Sequence, residues 1–61
     1  MKDVDIIEEA YQDSVKLVYT VFFQDYTSAP GSAEEQQAEE VFVTGVKTAK
    51  KIRDRALTIL P

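Results

Sequence analysis

The 61-residue sequence contains no cysteine and no histidine. Without thiols or imidazoles there is no cysteine nucleophile, no Ser-His-Asp triad and none of the usual zinc sites. We therefore predict a non-enzymatic protein with no cofactor and no metal site. A chain this short buries only about 60% of the surface that its unfolded form exposes. Folds of this size are usually stabilised by disulfides, a structural metal or self-association, and of these only self-association remains.

Positive charge and long hydrophobic runs are also scarce. The chain has 11 acidic residues against 7 basic ones, a formal charge of −4, which disfavours a general binder of nucleic acids or anionic membranes. The densest apolar stretch, residues 15–23, is interrupted by Lys16 and Thr20 and is shorter than the ~20 residues of a membrane span. The first ten residues are acidic rather than typical of a signal peptide. We expect a cytoplasmic protein without a membrane partner.

Glycine and proline occur only twice each, and the single Pro-Gly pair, Pro30-Gly31, predicts a turn over residues 27–32. Ahead of this turn, apolar residues recur at steps of three and four, which predicts a first helix over about residues 3–26. Residues 15–23 favour a strand by propensity, but a lone strand would have no partner in so short a chain. The repeating residues are Val4, Ile7, Tyr11, Val15, Val18, Phe22 and Tyr26.

A second helix is predicted over about residues 33–60. Ser32 and Glu35 have the spacing of a capping box at its start. Acidic residues fill its first turns and basic residues its second half, the order that the helix dipole favours. Its apolar residues repeat strictly at steps of four and three: Ala38, Phe42, Gly45, Ala49, Ile52, Ala56 and Ile59.

Together these elements predict an all-α protein, a single domain of residues 1–61 folded as an antiparallel two-helix hairpin. The small residues of the second helix would face large ones of the first, so we expect a side chain to cover Gly45. The apolar arcs are wider than one partner helix covers, which predicts a homodimer forming a four-helix bundle. The predicted oligomer interface comprises Tyr11, Val15, Val18, Phe22, Phe42, Gly45, Ala49, Ile52 and Ala56.

Two more groups of residues are candidate contact sites. Tyr19 and Phe23 lie one turn apart beside the main stripe, where they would contact another protein or pack at the flank of the bundle. Lys47, Lys50, Lys51 and Arg55 form a basic strip that suits nucleic-acid phosphates. A solvated face is the favoured interpretation of this strip, because the chain is acidic and no aromatic residue interleaves with the bases. The predicted function is an interaction or regulatory module acting as a homo-oligomer, with a nucleic-acid-binding regulator as the alternative.

Overall fold

The computed structural model describes residues 2–61 and consists of two helices, α1 (Asp3–Thr27) and α2 (Ser32–Ile59). These helices account for 88% of the described residues, which include no strand. The prediction of an all-α helical hairpin is therefore confirmed. Residues 15–23, despite their β propensity, lie in the middle of α1, because the helical apolar stripe continues through them.

The connection between the helices spans residues 28–31. At the end of α1 the Ser28 N–H donates to the Gln24 carbonyl at 3.1 Å, and the Thr27 hydroxyl donates to the Phe23 carbonyl at 2.7 Å. Pro30 then disfavours helical backbone at the residue before it. The helix therefore ends within one turn of the proline.

The start of α2 differs from the predicted capping box. Gly31 is the N-cap, in extended conformation, and Ser32 is already the first helical residue. The Glu35 N–H donates to the Gly31 carbonyl at 3.0 Å, and no side chain caps the helix. The capping-box prediction is wrong because Ser32 lies one position too far inside the helix for its hydroxyl to accept from the first free N–H groups.

The two helices pack antiparallel along a seam of half-buried side chains. The rings of Phe22 and Phe42 are 4.7 Å apart near the turn. In the middle, a Cβ built on Gly45 would lie 2.8 Å from Cγ1 of Val18. The prediction that a larger side chain covers Gly45 is thus confirmed, and the absent side chain is what lets α1 and α2 approach here.

In the second half of α2 the seam departs from the predicted seven-residue repeat. Ile52 and Ile59 are 64% and 65% exposed, whereas Arg53 is half-buried. The predicted placement of Ile52 and Ile59 in the seam is wrong, because a helix of 3.6 residues per turn drifts by about 20° per heptad from a strict repeat of seven. The stripe of α2 that faces α1 runs from the buried Ala38 through the half-buried Phe42, Gly45, Ala49, Arg53 and Ala56, and the half-buried Leu60 continues it just after the helix.

The resulting hairpin is long and thin, and its Cα atoms span 48 × 18 × 7 Å. Ala38 is the one buried residue of the described chain. The accessible surface is 4881 Å². A compact monomer of 6.9 kDa would expose about 4,000 Å². The hairpin therefore exposes roughly 900 Å² more than a compact protein of its mass.

Candidate interaction surfaces

An exposed apolar surface lies on one side of the hairpin and is shared by both helices. Leu17 and Val21 of α1 border the same depression as Val41 of α2, and Ala10 borders a second one with Ile52. Helical spacing adds Ile6 and Ile59, which lie on the same flanks of their helices. We call this surface the broad apolar face, defined by Ile6, Leu17, Val21, Val41, Ile52 and Ile59.

Two hollows occupy this face on either side of its middle. The turn-side groove has a volume of about 230 Å³, and its lining residues are all apolar: Leu17, Val18, Val21, Phe22, Val41, Phe42 and Gly45. The open-end hollow is smaller, about 150 Å³, and is lined by Ile7, Ala10, Tyr11, Ser14, Ile52, Arg53 and Ala56. Exposed aliphatic side chains and depressions therefore alternate along the face. Packed helices need such a surface, because the ridges of one helix fit into the grooves of another.

The predicted interface residues separate into two groups. Ile52 alone among the nine is exposed, and it lies on the broad apolar face. The other eight line the seam within one chain and are half-buried, so part of the surface of each residue remains open to a further contact. Those eight are Tyr11, Val15, Val18, Phe22, Phe42, Gly45, Ala49 and Ala56. Their role in an oligomer stays a prediction.

Tyr19 and Phe23 form a separate aromatic edge on α1. Their side chains are 56% and 57% exposed. At 100° per residue they lie on the flank of the seam opposite to Leu17 and Val21. The neighbouring Tyr26 instead packs against Phe22 with ring centroids 5.5 Å apart. The aromatic edge is therefore spatially distinct from the broad apolar face.

The basic strip, Lys47, Lys50, Lys51 and Arg55, is exposed throughout. Lys47, Lys51 and Arg55 share the side of α2 that faces away from the seam, and Lys50 lies toward its margin. Within residues 2–61, none of the four forms an ion pair within 4.0 Å. Their charges are therefore open to an external anion or to solvent.

Arg53 is the structurally important basic residue that the sequence reasoning missed. Its guanidinium lies 4.5 Å from the centroid of the Tyr11 ring and 4.0 Å from a Glu8 carboxylate oxygen. Its Nε and Nη2 donate to Oδ1 of Asp54 at 3.0 and 2.9 Å. The hydrogen bond to Asp54 raises the pKa of Arg53 above its ordinary value, and the charges of Asp54 and Glu8 raise it further.

These contacts join the acidic start of α1 to the basic second half of α2. Arg53 crosses the seam at the open end of the hairpin, which is the end away from the turn, whereas Phe22 and Phe42 pack across the seam near the turn. The sequence does contain a signal for Arg53. Successive seam residues up to Ala49 are four, three and four residues apart, and a helix of 3.6 residues per turn favours a second step of four, which leads from Ala49 to Arg53.

Charge is unevenly distributed along the hairpin. Residues 17–46, which form the turn half, contain five acidic residues and no basic one, whereas the rest of the chain has seven basic residues against six acidic. Among residues 2–61 no three carboxylates converge closely enough to hold a metal ion. The turn half is therefore strongly negative and the open half close to neutral. The five acids are Asp25, Glu34, Glu35, Glu39 and Glu40.

Neither helix of the described chain combines the length and apolarity needed to cross a lipid bilayer. Comparisons with models of known protein families, with curated proteins and with solved structures gave no match. The surfaces and charges of the hairpin itself are therefore what bears on its function.

Proposed function

We propose that the protein is a small, non-enzymatic interaction or regulatory module of the cytoplasm that acts as a homo-oligomeric helical bundle. Two hairpins would pack through their apolar surfaces into a four-helix bundle. The observation that carries this proposal is the broad apolar face, to which both helices contribute exposed aliphatic side chains.

The size of the exposed surface supports the same conclusion. The hairpin exposes roughly 900 Å² beyond a compact monomer of its mass. A standard protein interface removes about 800 Å² from each partner. One further hairpin would therefore cover the excess, and a two-fold homodimer is the commonest way for a small soluble protein to obtain that cover.

Sedimentation equilibrium and thermal unfolding at several protein concentrations test the proposal. We expect a dimer at micromolar concentration and a melting temperature that rises with concentration, because folding and association are coupled. A well-folded monomer whose melting temperature is independent of concentration would contradict the proposal.

In this bundle the aromatic edge is the surface available to a different protein. Exposed aromatic side chains one helical turn apart are effective anchors for a partner helix. Replacing Tyr19 and Phe23 by serine should leave the homodimer intact and reduce capture of partners from the native cytosol. Loss of the homodimer in this variant would instead assign the aromatic edge to self-association.

A second candidate function is binding to nucleic acid through the basic strip. Four exposed basic side chains without an ion-pair partner in the described chain support it. Titration with duplex and hairpin RNA across salt concentrations tests it, since the logarithm of the binding constant falls linearly with the logarithm of the salt concentration, more steeply the more phosphates are contacted. Binding that falls steeply with salt and is abolished by Lys50→Glu and Lys51→Glu would support this function. Absence of binding at low salt would exclude it.

A further inference from the structure

We propose that the turn-side groove of one hairpin receives Ile52 of a second copy that runs antiparallel to it. This inference rests on the proposed self-association and assigns its face, its orientation and its register. Three features carry it: the wholly apolar lining of the groove, the uneven charge along the hairpin, and the positions of the two hollows.

The face is assigned by its chemistry. All seven residues that line the turn-side groove are apolar, and Leu17, one of the seven, is 67% exposed. The cores of protein interfaces are depleted of charged residues in the same way. By contrast, the outward side of α2 carries the basic strip, whose charges would have to be desolvated in a packed contact. The broad apolar face is thus the surface best suited to packing against the same face of a second hairpin.

The orientation is assigned by charge. A parallel second hairpin would bring five acidic side chains of each turn half against the same five of the other, which is repulsive. An antiparallel copy instead places this acidic half against the open half, whose seven basic residues offset its six acidic ones. Avoiding the repulsion between two acidic turn halves favours the antiparallel orientation.

The register follows from two-fold symmetry. Helix α2 spans Ser32–Ile59, so its middle is at Gly45 and Val46, and the midpoint between Val41 and Ile52 lies one residue further along, between Val46 and Lys47. A two-fold axis through the middle of the broad apolar face places Val41 of one chain at the same height along the bundle as Ile52 of the other. Ile52 of each chain then lies over the turn-side groove of the other, and Val41 lies over the open-end hollow. Each contact occurs twice, as an isologous interface requires.

The dimensions are compatible with this contact. The turn-side groove measures about 230 Å³. An apolar cavity of about 150 Å³ accommodates a benzene molecule, so the groove accommodates a branched aliphatic side chain. Ile52 is 64% exposed in the single hairpin and therefore has most of its surface to bury on docking. Its exposure, which the intramolecular seam does not explain, is accounted for by the partner.

Cysteine cross-linking tests the arrangement, because the chain has no native cysteine. In the double variant Val41→Cys, Ile52→Cys, the two thiols of one chain are about 16 Å apart along α2. A bis-maleimide shorter than that separation can join them only between chains. We expect rapid conversion to a covalent dimer. The control is Lys47→Cys, Thr58→Cys, with the same spacing on the exposed outer side of α2, and it should remain uncross-linked.

A second measurement does not depend on cross-linking. Ile52→Glu places a charge in the groove of the partner, and the dissociation constant of the dimer should rise at least about a hundredfold. Thr58→Glu, a change to the same residue on the outer side of α2, should leave it within a factor of about three. Helical circular dichroism at high protein concentration checks that both variants still fold.

The outcomes separate this inference from the function on which it rests. A monomeric wild-type protein in sedimentation overturns both. A dimeric wild type with no cross-link between positions 41 and 52, or with equal cross-linking of the control pair, overturns the face and register while self-association stands. Dimerisation of Ile52→Glu with wild-type affinity has the same consequence.

Discussion

Replacing Gly45 by alanine separates the intrinsic preference of a helix from the packing of this hairpin. In a helix interior alanine is about 1 kcal/mol more favourable than glycine. At this position, however, the new Cβ would lie 2.8 Å from Cγ1 and 3.2 Å from Cγ2 of Val18. Val18 is β-branched, and its χ1 angle is strongly restricted in a helix, so its methyl groups cannot simply rotate away.

The expected free-energy change follows from these two opposing effects. Overpacking a well-filled contact costs about 1 to 3 kcal/mol, which cancels or exceeds the propensity gain. Gly45→Ala should therefore change the free energy of unfolding by between about zero and 2 kcal/mol in the destabilising direction. In a Val18→Ala background the methyl groups are absent, and the remaining Cβ of residue 18 lies at an ordinary contact distance of 3.6 Å. There the same substitution should stabilise the protein by up to about 1 kcal/mol.

Urea unfolding of the four proteins of this double-mutant cycle, at equal concentration, measures the coupling directly. We expect an interaction free energy of about 1 to 3 kcal/mol between positions 18 and 45. If Gly45→Ala stabilises the wild type and the Val18→Ala variant equally, Val18 does not pack over Gly45 and the helix register described here is wrong.

Three further predictions concern the seam, the open end and the secondary structure. Ala49→Leu should destabilise the protein by about 1 to 3 kcal/mol in chemical denaturation, whereas Lys47→Gln on the outer side should stay within about 0.5 kcal/mol; a neutral Ala49→Leu would refute close packing at that level. Arg53→Met should lower the melting temperature more than the matched exposed change Arg55→Met, because only Arg53 contacts Tyr11 and Glu8; equal melting temperatures would show that those contacts contribute nothing. Far-ultraviolet circular dichroism of the native protein should be dominated by helix, and a substantial sheet signal would contradict the assignment of residues 15–23 to α1.

The existence and approximate bounds of both helices could be predicted from local sequence features. The apolar period in each half, the Pro30-Gly31 break and the order of charges along α2 each depend only on residues within a few turns of one another. Such features bias the backbone locally, whatever the rest of the chain does. The cover over Gly45 was also predictable, because an internal glycine on an apolar stripe leaves room for a large neighbour.

The phase of the seam beyond Ala49 was decided by tertiary packing. A strict seven-residue pattern and a helix of 3.6 residues per turn agree over one or two heptads and then diverge, so Arg53 rather than Ile52 meets α1. The start of α2 is similar, since Gly31 and Ser32 are both acceptable N-caps and the backbone path from Pro30 selects the first.

The same shift of phase determined the candidate interaction surface. Apolar periodicity identifies Ile52 as a residue that needs burial, but it does not say against which surface. Only the position of α1 relative to α2 places Ile52 outside the seam and beside the exposed aliphatic side chains of α1. Hydrophobic burial is non-directional, so sequence determines how much apolar surface must be covered, whereas the packing of the two helices determines which part is left for a partner.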